Sequence, residues 1–71
     1  MTKTEKLIIG AEKLGWKKVE SKSGKYKTFE KDGYNKLFIG RKGAIRYGKN
    51  SSSSRNVAPT FEEILLNSFD S

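Results

Sequence analysis

Residues 26–47 read YKTFEKDGYNKLFIGRKGAIRY, and the two turn signals inside this stretch decide the fold. Asp32-Gly33 is a strong hairpin signal, because glycine accepts the backbone conformation that a tight reversal needs. Arg41-Lys42-Gly43 suits a type I turn followed by a glycine bulge. The pieces on either side have strand character, which predicts strands over 26–31, 34–40 and 44–47. Connections this short force neighbouring strands to pair antiparallel, as a meander.

Working outward toward the N-terminus, Ser23-Gly24 marks another turn, preceded by a strand over 16–21. Before that, Thr2-Lys3-Thr4-Glu5 fits a capping box, and Leu7, Ile8, Ala11 and Leu14 follow at helical spacing. Gly15 closes that pattern as a left-handed cap, so a helix spans about 3–14. Toward the C-terminus, Gly48–Asn56 reads as a loop, and Ser51–Ser54 is its low-complexity run. Thr60-Phe61-Glu62-Glu63 fits a second capping box just after Pro59, and Phe61, Ile64, Leu65 and Phe69 form an apolar stripe. A short closing helix to about 68 follows. The whole chain, 1–71, is therefore one α+β domain of two layers. It has an N-terminal helix, an antiparallel meander sheet of three to four strands, and a short C-terminal helix.

A domain of 71 residues buries only about 60% of the surface its unfolded chain exposes, so the core is thin. Alternation places Val19, Phe29, Leu37, Ile39, Ile45 and Tyr47 on the inner face against the helix. Lys36, Phe38 and Arg46 share the other face with Tyr26 and Tyr34. Trp16 belongs to the core, held by the turn at Gly15.

The chain has no cysteine and no histidine. Disulfides and thiolate metal sites are excluded, the chain suits a reducing cytosol, and the commonest general base and best nucleophile are both missing. No apolar run approaches the roughly 20 residues of a membrane span. The expectation is a cytoplasmic, non-enzymatic protein with no small-molecule cofactor, no metal and no membrane contact. Glu62 and Glu63 fall in a helix's first turn, where they favourably meet the helix dipole.

The net charge is +7, and it is uneven. Residues 17–55 carry twelve Lys and Arg against three acids, whereas 56–71 carry three acids and no Lys or Arg. A bias of this kind favours polyanions or an acidic protein surface. Gly43–Asn50 matches a P-loop as far as Gly48-Lys49, then fails at Asn50, where a Ser or Thr must reach magnesium. The better reading is a basic hairpin tip. Arg41 and Lys42 project at the end of the third hairpin with Arg46, Lys49 and Arg55 nearby, and Ser51–Ser54 supply further donors to phosphate oxygens. A two-stranded ribbon of this kind can enter a major groove. Lys36 and Phe38 extend the candidate set, because aromatics among cations can stack unpaired bases. The expected partner is nucleic acid, DNA or RNA. The alternative is an acidic host protein surface, on which the chain docks as a small regulator or inhibitor.

The stretch AEKLGWKKVESKSGKYKTFEKDG and the α-β-β-β-α order resemble the double-stranded-RNA-binding fold that HicA-type toxins share. Those toxins cleave mRNA with a histidine expected near SGKYKTF. Here Lys25 and Tyr26 occupy that place, so the resemblance implies the fold without ribonuclease activity. LFIGRKGAIRYGKNSSSS is similar to a segment of short uncharacterised proteins of phages and mobile elements, which implies a phage-type regulator or inhibitor.

Overall fold

The computed structural model describes residues 1–20, 26–50 and 52–71. The expected turn at Ser23-Gly24, the Lys25 position and Ser51 lie outside the described residues. The order is α1 (Lys3–Lys13), β1 (Lys17–Val19), β2 (Tyr26–Glu30), β3 (Lys36–Gly40), β4 (Ile45–Gly48), β5 (Arg55–Asn56) and α2 (Pro59–Asp70). The strands form one antiparallel sheet in chain order, β1-β2-β3-β4-β5. The radius of gyration, 11.0 Å, equals the ~11 Å expected of a folded chain of this length.

Both ends of α1 form as their local sequence dictates. The Thr2 hydroxyl accepts from the Glu5 amide at 3.2 Å, and the Glu5 carboxylate accepts from the Thr2 amide at 3.5 Å. At the other end the Gly15 amide donates to Glu12 and the Trp16 amide to Ala11, both at 3.1 Å, with Gly15 at φ 99. This is a Schellman turn. It satisfies the last carbonyls of α1 and drops Trp16 into the core.

Leu7, Ala11, Trp16, Phe29, Leu37, Ile39, Ile45 and Leu65 form one buried cluster, so both helices cover the same face of the sheet. The helices touch closely. A Cβ on Gly10 would sit 1.9 Å from the Leu65 carbonyl oxygen, so Gly10 is where α1 and α2 meet backbone to backbone.

Four local expectations are corrected. The segment read as a loop contains β5, whose Arg55 and Asn56 pair with Tyr47 and Arg46. The second capping box does not form. Pro59 occupies the first turn, the N-cap is Ala58 with no side-chain bond, and Thr60 is already inside the helix, which continues to Asp70. Val19 lies opposite Thr28 and therefore on the face away from the helices. Tyr34 belongs to no strand, because β2 stops at Glu30 and β3 starts at Lys36. The intervening turn, closed by the Tyr34 amide on the Lys31 carbonyl at 3.0 Å, turns Tyr34 against Trp16 with ring centroids 5.8 Å apart.

Candidate nucleic-acid interface

Arg41 and Lys42 are exposed in the turn between β3 and β4. That turn has the expected geometry, with the Gly43 amide on the Gly40 carbonyl and Gly43 at φ 83. It is not a free ribbon, however. The β3–β4 pair lies inside a five-stranded sheet. Its tip is docked on α1 as well. The Thr4 hydroxyl lies 2.9 and 2.8 Å from the carbonyl oxygens of Gly40 and Arg41, and the Lys3 side chain lies over Gly43. The expectation of a projecting two-stranded ribbon is corrected by this docking, which leaves only the two basic side chains of the tip free.

Arg46 sits mid-strand on the face away from the helices, with Phe38 on one side and Asn56 on the other. Its guanidinium is occupied. Nε donates to the Ser54 hydroxyl at 2.8 Å and a terminal nitrogen donates to the Ser54 carbonyl. Ser54 is buried. The Ser52 hydroxyl and the Ser53 amide both donate to the Asn50 side-chain oxygen at 2.8 Å. The serines therefore build their own loop, and Arg46 anchors it. A Cβ on Gly48 would meet Ser54 Cα at 2.7 Å, so the loop folds directly over that glycine.

Lys36, Lys49 and Arg55 gather at the opposite end of the sheet from Arg41 and Lys42. Lys36 pairs with Gly48, Lys49 follows it, and Arg55 pairs with Tyr47. Lys36 and Arg41 are five residue steps apart along β3 and into the turn, roughly 16 Å at about 3.3 Å per residue. The single sequence cluster is thus two groups in space. Phe38 joins neither. It is 4% exposed, its ring meets Tyr26 edge-on at 6.5 Å, and Tyr26 in turn lies across Gly40. Within Gly43–Lys49 the chain forms strand β4, and the next described element is strand β5 rather than a helix, which is not the geometry of a phosphate loop.

The two groups share one electrostatic property. Among the described residues, no ion pair or hydrogen bond engages the side chains of Lys36, Arg41, Lys42, Lys49 or Arg55. Lys17, Lys18 and Lys27 share this property, whereas the other described lysines are engaged. Lys3 pairs with Glu62, Lys13 donates to the carbonyls of Phe69 and Ser71, Lys31 donates to Leu14, and Lys6 lies over the Phe69 ring.

One feature is not visible in the linear sequence. A groove of about 530 Å³ opens beside Arg55, walled by Trp16, Tyr34, Tyr47, Val57 and Phe61. Its residues come from the α1–β1 junction, the β2–β3 turn, β4 and the start of α2. The only local signal is an exposed tyrosine directly after Asp32-Gly33.

No protein-family model, curated protein or solved structure matches the chain. No helix among the described residues is long and apolar enough to cross a membrane.

Proposed function

We propose that the protein is a non-enzymatic nucleic-acid-binding module. It contacts phosphates through Arg41 and Lys42 at one end of the sheet and Lys36, Lys49 and Arg55 at the other. The observation that carries this reading is that the side chains of these five cations have no partner among the described residues, in a segment of the chain with twelve basic residues and three acids. Cations held apart from carboxylates keep their full attraction for a polyanion, and binding releases the counterions condensed on it. Arg46 serves this surface indirectly, by fixing the loop between Lys49 and Arg55. The absence of His and Cys supports a binding role without catalysis. A cytoplasmic location accords with a chain that has no cysteine to oxidise. The resemblance read in residues 37–54 extends the proposal to a regulator carried by a phage or mobile element.

Fluorescence anisotropy of labelled single- and double-stranded DNA and RNA, at about 50 and 200 mM salt, tests the proposal. Micromolar or tighter binding that weakens in proportion to the phosphates neutralised is the expected result. Stoichiometric binding to an acidic protein, with no affinity for any nucleic acid, would replace it with the docking-regulator reading.

A further inference from the structure

We infer that the groove between Tyr34 and Phe61 receives an unpaired base of a single-stranded nucleic acid, so that the module prefers single strands to duplex. This inference rests on the nucleic-acid reading above and adds the form of nucleic acid bound. Three observations carry it.

The first is Tyr34, which is 60% exposed, more than any other aromatic among the described residues. It is nonetheless fixed. Its ring lies against Trp16, and the Lys31 ammonium sits 5.2 Å from its centroid. A rigid aromatic face left open to water is a ready stacking surface. The second is shape. The groove's volume of about 530 Å³ falls in the range of small-molecule sites, and Val57 and Phe61 supply an apolar wall facing the aromatic one. The third is charge. Among the described residues no Asp or Glu lines the groove, and Arg55 does. An aromatic wall takes a flat ring, and the Arg55 guanidinium, which no described carboxylate pairs, takes an anion attached to it. Asn35 adds a side-chain amide beside the same space, able to meet the polar edge of a base. Paired bases in a duplex present no free face, so only an unpaired base satisfies all three conditions.

Trp16 is the sole tryptophan and lines the groove, so its emission reports occupancy directly. The full chain is titrated with a labelled single-stranded oligomer of about eight nucleotides, the matching duplex, and a nucleoside monophosphate. Anisotropy is read alongside Trp16 fluorescence. The expected result is saturable Trp16 quenching by the single strand and none by the duplex, with the monophosphate far weaker. Tyr34→Ala lowers single-strand affinity roughly 5- to 150-fold, while Tyr34→Phe, which keeps the ring, retains it. Should Tyr34→Ala fail to fold, the quenching of the unaltered protein and the Tyr34→Phe result decide. Oligomer binding by anisotropy with unchanged Trp16 emission overturns the groove assignment and leaves the phosphate-binding reading standing. Equal affinity for the monophosphate overturns the single-strand assignment. No binding of any nucleic acid overturns both.

Discussion

The guanidinium of Arg46 grips Ser54 at two points, Nε on the hydroxyl at 2.8 Å and a terminal nitrogen on the carbonyl. A planar fork meeting two oxygens of one residue is a structural clamp, and Lys, with a single ammonium, cannot reproduce it. Arg46→Gln is expected to destabilise the domain by about 1 kcal/mol, the net worth of a hydrogen bond between side chain and backbone. In a chain this short that lowers Tm by about 4–8 °C. Because Arg46 faces Ser54 rather than a ligand, the salt slope of nucleic-acid binding stays unchanged. A slope that drops by about one unit, with Tm intact, would return Arg46 to the set of phosphate contacts.

Arg41→Ala combined with Lys42→Ala removes two free charges at the tip. The slope of log K against log salt should flatten by about two units, and Lys36→Ala with Lys49→Ala should do the same at the other end. Both pairs are surface substitutions without side-chain partners among the described residues, so chemical denaturation should move by no more than about 0.5 kcal/mol. If only one pair changes the slope, the ligand covers one end of the sheet and not both.

Gly10→Ala sets two effects against each other. Alanine favours a helix interior over glycine by about 1 kcal/mol. The new methyl, however, would stand 1.9 Å from the Leu65 carbonyl oxygen, a backbone atom that can retreat only if α2 moves with it. Overpacking of this kind costs about 1–3 kcal/mol or more, and the clash is severe, so the steric term wins. Thermal denaturation by circular dichroism should show a lower Tm. An unchanged or raised Tm would mean that α2 shifts freely on α1.

Lys31 joins three elements. Its ammonium donates to the Leu14 carbonyl at the C-terminus of α1, 2.8 Å away, and lies 5.9 and 5.2 Å from the ring centroids of Trp16 and Tyr34. A cation there meets an orphan carbonyl, the negative end of the helix dipole and two aromatic faces. Lys31→Met keeps the aliphatic stem and deletes the charge. It should cost about 1–2 kcal/mol in chemical denaturation and shift Trp16 emission, because the ring loses its charged neighbour. No loss of stability would show that the stem alone holds Tyr34 in place.

Interactions between near neighbours were legible in the sequence alone. The capping box at Thr2 and Glu5, the glycine stop at Gly15, the β3–β4 turn with Gly43 at positive φ and the meander order all follow from residues within a few positions of one another, and all are present. Pairing and convergence were not. β5 has two residues and exists because β4 offers it a ladder, and Val19 changed face because its register is set by Thr28 across the sheet. The second capping box had the right residues two positions too late, since Pro59 had already begun the helix. The candidate site divided for the same reason. Arg41, Arg46 and Lys49 are close in sequence, but an extended strand carries them to opposite ends of the sheet, and a serine loop claims the one between them. The groove joins Trp16, Tyr34, Tyr47 and Phe61, which only tertiary packing brings together. Local backbone preferences act over three or four residues and can be read along the chain. Which side chains end up free, buried or side by side depends on contacts between distant segments, which form only when the sheet and both helices close on one core.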